Sequence, residues 1–150
     1  MKPGDKYYDG KVENTGRTIH KDVADYAQAF ADSGIAAYIF DFIGGGTQIK
    51  SDGKMTEMSV LTEAADFNVV FDGIRELSCI DKPRLFVGGA SQGGFVATYI
   101  AAKRNPDISG LIALYPAYVL QDDARKRTSD GKDIPETVHI MGRTVGRKYS

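Results

Sequence analysis

The sequence predicts an α/β fold with parallel strands. Three short apolar segments, which we interpret as strands, alternate with three segments whose apolar residues recur at helical spacing. The apolar segments show little alternation between polar and apolar residues, which is typical of strands covered on both faces of a parallel sheet. A helix between consecutive strands indicates crossover connections, and these join parallel strands.

The first predicted helix and strand span residues 22–40. From Asp22, apolar residues recur at helical spacing, and Gly34 lies where helices often end on a residue with positive φ. Residues 35–40 form a continuous apolar run and predict a buried strand. Before them, residues 1–18 are polar and rich in glycine, which predicts a loop or a weak strand.

A glycine-rich loop and a second helix follow. Residues 44–46 and 51–53 carry turn-forming residues and predict a long loop. Ser59 has the side chain of a helix N-cap. The predicted helix after it has an apolar stripe that consists of Val60, Ala64, Phe67, Phe71 and Ile74.

Two further strands enclose a third helix. Residues 85–87 and 111–115 predict buried strands, and Pro116 ends the second of them. The helix between them is expected to stop near Asn105 and Pro106, because the residue before a proline disfavours helical backbone.

The chain after Tyr118 has a different character. Apolar residues become scarce, and charges of both signs alternate through residues 122–133. One interpretation is a mobile cap over a pocket, and the other is a solvated surface segment. The charge pattern by itself favours the surface segment.

The composition is that of an ordinary globular chain. Its 150 residues are 42% hydrophobic and 26% charged, with a formal net charge of -1, which excludes a disordered tail, a collagen-like repeat and a disulfide scaffold. Without a basic excess, we expect no nucleic-acid binding. Cys79 is the single cysteine, so neither an internal disulfide nor a cysteine-based metal site is possible. The N-terminus lacks a signal sequence and no segment has the roughly 20 apolar residues of a membrane span. We therefore expect no membrane association and a cytoplasmic protein.

One motif carries chemistry. Residues Gly89 to Gly93 fit the pattern G-x-S-x-G with Ser91 at the centre, between a predicted strand and a predicted helix. This context indicates a nucleophile elbow, a sharp turn that lifts the serine hydroxyl clear of the sheet. We expect Gly89 and Gly93 to remove side chains that would clash there, and the backbone N–H of Gln92 to serve as an oxyanion-hole donor. The alternative is a glycine-rich turn with an inert serine.

Several motifs together resemble a known superfamily. The motifs are residues 41–46 (DFIGGG), residues 51–54 (SDGK), the Ser91 elbow and residues 114–117 (LYPA). In this order they resemble the α/β-hydrolase superfamily, most closely its bacterial cinnamoyl/feruloyl esterase-like branch, which is related to the serine aminopeptidase-type hydrolases. The resemblance implies a partial α/β-hydrolase fold: a parallel sheet flanked by helices, a nucleophile elbow and the start of a cap insertion.

The resemblance also implies an activity. It implies hydrolysis of small-molecule carboxylic esters, aromatic acyl esters among them, through an acyl-serine at Ser91. Triad chemistry of this kind needs no metal and no organic cofactor, so we expect none. The resemblance divides the chain into a partial hydrolase core at residues 1–118 and the beginning of a cap at residues 119–150, and it favours the cap interpretation.

The partners of the serine are harder to place. In this superfamily the acid and then the histidine follow the nucleophile along the chain, but only one predicted strand follows Ser91. Asp122 or Asp133 with His139 satisfies the order formally, although we expect His139 in the cap-like segment with no strand to place it. His20 lies where the family carries a His-Gly motif, but lysine follows it.

These departures predict an incomplete hydrolase. We expect a fragment that lacks the triad acid and histidine and also lacks strands on both sides of the sheet. Unpaired strand edges of this kind favour association, so a homo-oligomer through exposed sheet edges is one expectation. The alternative function is a non-catalytic hydrolase-like module that binds a small ligand or a partner.

Overall fold

The computed structural model describes residues 13–14, 21–45, 51–131, 137–140 and 143–146. The elements in this part of the chain are β1 (Glu13–Asn14), α1 (Lys21–Asp32), β2 (Tyr38–Ile39), α2 (Val60–Arg75), a short 3-10 helix (Lys82–Arg84), β3 (Phe86–Ala90), α3 (Gln92–Lys103), β4 (Gly110–Leu114), α4 (Val119–Ser129), β5 (Thr137–Ile140) and β6 (Arg143–Gly146). None of the helices in these ranges is both long and apolar enough to cross a membrane.

The strands of the described ranges pair two by two. Strand β1 pairs in parallel with β2, and β3 pairs in parallel with β4. The register of the second pair runs from Phe86 opposite Gly110 to Ala90 opposite Leu114. Helix α3 connects β3 to β4, as a crossover between parallel strands requires. The predicted α/β class is confirmed.

The main apolar core joins α2, β3 and α3. Its buried members are Ala64, Phe67, Phe71, Val87, Val96, Ala97 and Ile100. Val96 and Ile100 are fully buried, which fixes α3 against the strand that precedes it. The turn between β3 and α3 is therefore held by the best-packed part of the described chain.

Helices α1 and α2 have the predicted boundary residues. Gly34 ends α1 with φ 80°. Its N–H donates to the carbonyl of Ala31 (3.0 Å) and that of Ile35 to the carbonyl of Phe30 (2.9 Å), which is a Schellman motif. At the start of α2, the N-cap Ser59 exchanges side-chain and backbone hydrogen bonds in a capping box.

The strands differ from the prediction in extent and burial. Strand β2 contains only Tyr38–Ile39, and Ile35, predicted to lie in it, is 54% exposed. Strand β3 continues to Ala90, but only Val87 is buried while Phe86 is 60% exposed. The prediction of burial on both faces is wrong here, because each described pair has two strands and lacks the cover of a wide parallel sheet.

The segment after Tyr118 contains a helix and two strands that the sequence analysis did not predict. Helix α4 buries none of its residues, and β5 and β6 then form an antiparallel hairpin. His139, expected without a strand, lies in β5 opposite Thr144. The sequence does contain a signal for these strands, because β-branched residues lie on both sides of Gly142, and this pattern favours a hairpin. The predictions for residues 1–12, 15–20 and 46–50, His20 among them, lie outside the described residues.

Candidate nucleophile elbow

Ser91 occupies the turn between β3 and α3, where the motif predicted it. Its backbone has φ 52° and ψ -121°. A non-glycine residue in this region stores about 1–3 kcal/mol of strain, which persists only when the surrounding structure imposes it. The residue is exposed. The strand-to-helix turn thus holds a strained serine at the protein surface.

Hydrogen bonds from the neighbouring strand hold this conformation. The N–H of Ser91 donates to the carbonyl of Leu114 at the end of β4 (3.0 Å). The carbonyl of Ser91 accepts from the N–H of Phe95 in α3 (3.1 Å) and from that of Ala117 after β4 (2.9 Å). The elbow is therefore joined to β4 on one side and to its own helix on the other.

The glycines of the elbow have unequal roles. A Cβ at Gly89 would lie 2.4 Å from the carbonyl oxygen of Gly93, and a Cβ at Gly94 would lie 2.9 Å from the carbonyl oxygen of Gly89. A Cβ at Gly93 would meet no described atom within 4 Å. The prediction that Gly93 avoids a side-chain clash is wrong. Gly93 takes part in the close approach through its backbone carbonyl, and the positions at which a Cβ would clash are Gly89 and Gly94.

Gln92 links the elbow to α2. It is the first residue of α3, so its backbone N–H has no partner four residues earlier within the helix. Its side-chain Nε2 donates a hydrogen bond to Oε2 of Glu63 at 2.9 Å. The partial positive charge of the α3 N-terminus and an N–H without an acceptor inside the helix thus lie directly beside Ser91 in the chain.

Glu63 is a buried acid that the sequence analysis missed. It lies in the first turn of α2 and is 4% exposed. Burial raises the pKa of its carboxyl group to about 7, while the hydrogen bond from Gln92 lowers it and the charge of Asp66 raises it. The sequence contained a signal for this burial. Glu63 lies four residues before Phe67, and this spacing places the acid on the apolar stripe of the helix.

The loop after β2 is also attached to α2. The carboxylate of Asp66 accepts a hydrogen bond from the N–H of Ile43 (2.9 Å). The N–H of Gly44 donates to the carbonyl of Asp52 (2.8 Å). Gly44 has φ 73°, and a Cβ there would lie 2.7 Å from the carbonyl oxygen of Lys54. This glycine is required by the turn, and the loop is fixed to the helix that carries Glu63.

Exposed aromatic side chains follow β4 next to the elbow. Tyr115 has φ 38° and is 65% exposed. Tyr118 is 47% exposed, its hydroxyl lies 3.0 Å from Oγ1 of Thr98, and its ring meets that of Phe95 edge-on at 6.2 Å. The segment that hydrogen-bonds to Ser91 therefore also carries two exposed aromatic rings, and that of Tyr118 lies on α3.

The expected partners of Ser91 are only partly described. Asp122 lies in the first turn of the exposed helix α4. The backbone of His139 is in β5, its side chain is not described, and Asp133 lies outside the described residues. Among the side chains that are described, no three carboxylate, histidine or cysteine groups cluster as metal ligands would.

A pair of substitutions tests the backbone approach at the elbow. Gly89→Ala should lower the free energy of unfolding by about 3 kcal/mol, because its Cβ would overlap the Gly93 carbonyl. Gly93→Ala is the matched control and should raise the free energy of unfolding by up to about 1 kcal/mol through better helix propensity. Urea unfolding measures both changes. Equal effects of the two substitutions would contradict the geometry.

The buried acid predicts a pH-dependent stability. Between its ordinary pKa of 4.5 and its folded pKa of about 7, the folded chain keeps a proton on Glu63 that the unfolded chain releases. The contribution of Glu63 is therefore fully present below the lower value and is lost as the pH rises through the higher one, a fall of about 3 kcal/mol.

Urea unfolding of Glu63→Gln at pH 5 and pH 8 tests this dependence. The neutral amide should remove the loss of stability that occurs on raising the pH. The variant should therefore be more stable than the wild-type chain at pH 8. The matched control is Glu76→Gln, since Glu76 is exposed at the C-terminal end of the same helix. If the free energies of unfolding of Glu63→Gln and of the wild type fall by the same amount between the two pH values, the buried carboxyl group is not the cause of the pH dependence.

Comparison with known proteins identifies a family for the chain. A family model described as serine aminopeptidase, S33 (Hydrolase_4) matches residues 13–148, which is most of the chain. A comparison with curated proteins finds no match. The chain belongs to this S33 serine aminopeptidase-like family and is a serine hydrolase of the α/β-hydrolase superfamily.

Proposed function

We propose that the chain hydrolyses carboxylic esters through an acyl-serine at Ser91. The supporting observation is the backbone of Ser91, with φ 52° and ψ -121° at the residue before α3. This conformation in a member of a serine hydrolase family is what a nucleophile elbow requires. The alternative of an inert serine gives no reason for a strained residue at this turn.

The proposed reaction is acyl transfer to Ser91 and then to water. A base takes the hydroxyl proton of Ser91 while Oγ attacks the ester carbonyl carbon, and the resulting oxyanion accepts a hydrogen bond from the Gln92 N–H. The carbon–oxygen bond to the alcohol breaks, and the alcohol leaves with that proton. Water attacks the acyl-serine in the same way, which releases the carboxylic acid and restores the hydroxyl group of Ser91.

Aromatic acyl esters are the proposed substrate class. This follows the resemblance of the motifs to cinnamoyl and feruloyl esterases. It is supported by the exposed rings of Tyr115 and Tyr118, on the segment whose Ala117 N–H donates to the Ser91 carbonyl. An aromatic acyl group would pack against such rings in offset or edge-on geometry. We propose residues 119–150 as the start of a cap that encloses this side of the site.

The base is the part of the mechanism that most needs an experiment. His139 is the only histidine after Ser91 in the sequence, and it is therefore the candidate within these residues. The competing hypothesis from the sequence is that neither the acid nor the histidine of the triad belongs to this segment. The two hypotheses differ in whether the chain alone activates its serine.

Fluorophosphonate labelling tests the proposal. We expect an adduct at Ser91, located by mass spectrometry, and none in Ser91→Ala. Ser78→Ala, at an exposed serine outside the motif, is the matched control and should label like the wild type. If His139 is the base, His139→Ala should slow labelling by at least about 100-fold. A folded wild-type chain that takes no label contradicts an activated serine in this chain.

A second candidate is a module that associates through a strand edge. Among the described strands, β3 pairs only with β4. Phe86 of β3 also lines an apolar groove together with Phe40 and Phe67. An unpaired edge next to apolar side chains favours pairing with a second copy of the chain. Light scattering should then give a dimer mass that Phe86→Lys reduces to a monomer. A monomer of the wild type at high concentration contradicts this candidate.

A further inference from the structure

Among the residues whose burial is described, the proposed reaction leaves one buried titratable group without a role. Glu63 is 4% exposed among apolar residues of the α2 face, and it accepts a hydrogen bond from the Gln92 side chain at 2.9 Å. Burying a carboxyl group is costly unless its hydrogen bonds are satisfied, and an apolar residue would pack there without that cost. In the described residues, the hydrogen bond between Glu63 and Gln92 is the one direct side-chain link from α2 to the start of α3. The presence of a carboxyl group at this buried position therefore needs a functional explanation.

Glu63 is itself held in place. The Ser59 N–H donates to Oγ1 of Thr62 (2.8 Å), the Thr62 N–H donates to Oγ of Ser59 (3.3 Å), and the Glu63 N–H donates to the carbonyl of Ser59 (2.9 Å). The next residue, Ala64, is buried in the core against α3. The carboxyl group thus projects from a fixed first turn of α2.

Gln92 is the residue that this carboxyl group fixes. Its backbone N–H belongs to the first turn of α3 and has no acceptor within the helix. The carbonyl of the same peptide group, that of Ser91, accepts from the N–H groups of Phe95 and Ala117, and the contact with Glu63 adds a restraint on the side-chain side of this peptide. A side chain anchored on a neighbouring helix restricts the backbone to which it is attached. Donors of an oxyanion hole must be placed within about 0.5 Å of their productive position, so an anchor at this residue has a direct chemical consequence.

We propose that Glu63 is a positioning residue, whose carboxyl group holds the Gln92 side chain so that the Gln92 backbone N–H stays aimed at the oxyanion. This inference rests on the proposed function of Ser91 and Gln92. Glu63 touches neither substrate nor nucleophile in this scheme and acts only through Gln92.

A double-mutant cycle on ester hydrolysis tests the link. Glu63→Ala and Gln92→Ala should each lower kcat by about tenfold with little change in KM, because each removes the anchor and leaves the Gln92 N–H in place. The double variant should be no slower than either single variant, since both remove one interaction. Glu63→Gln offers a carbonyl acceptor to Gln92 and should restore kcat to within about threefold. Glu76→Ala is the control for an exposed glutamate of the same helix.

A second readout does not depend on turnover. In ¹⁵N-labelled protein, Glu63→Ala should shift the backbone amide resonance of Gln92, and Glu76→Ala should not. Additive losses of kcat, or an unmoved Gln92 amide in Glu63→Ala, would overturn the positioning role. If Glu63→Ala does not fold, Glu63→Met, which keeps most of the buried volume and removes the acceptor, takes its place in both readouts. A wild-type chain without esterase activity overturns the proposed function instead, and the amide shift separates that failure from loss of the Glu63–Gln92 link.

Discussion

The close approach of β3 and α3 determines the geometry of the whole site. Backbone atoms of Gly89 and Gly93 come so near that a Cβ on Gly89 would lie 2.4 Å from the facing carbonyl oxygen. A chain that reverses this tightly between strand and helix leaves little choice for the residue at the turn, and Ser91 takes φ 52°. The same reversal brings the N-terminus of α3 beside the serine. Strain, exposure and the electrostatic character of the site thus have one steric origin.

The strained turn is stable because three neighbours hold it. The end of strand β4 binds the Ser91 backbone at Leu114, the segment after it binds at Ala117, and Val96 and Ile100 fix α3 in the core. Helix α2 adds the contact between Glu63 and Gln92. Strain of about 1–3 kcal/mol is easily offset by burial of large side chains at about 1.5–3 kcal/mol each. The elbow therefore depends on tertiary packing and not on the local preferences of its residues.

Electrostatics connects stability to the proposed chemistry. The start of α3 attracts negative charge, which suits an oxyanion at Ser91. Burial raises the pKa of Glu63 to about 7, so this nearby carboxyl group is largely protonated in mildly acidic solution. A neutral or ionised Glu63 accepts the Gln92 amide in either state. The pH should then affect the stability of the chain more than the geometry of the elbow.

The α/β class, the cap residues Gly34 and Ser59, and the location of Ser91 between a strand and a helix were predictable from the sequence. These follow from local patterns: apolar periodicity, capping side chains and the G-x-S-x-G spacing. Only the tertiary structure showed that Gly94, and not Gly93, shares the tight contact with Gly89, because spacing does not reveal which Cβ would face the other element. It also showed the contact of Glu63 with Gln92, which joins residues 29 positions apart. The burial of the strands on both faces was also predicted wrongly. Local sequence patterns do not show how many neighbouring elements cover a strand, because that is a property of the assembled sheet.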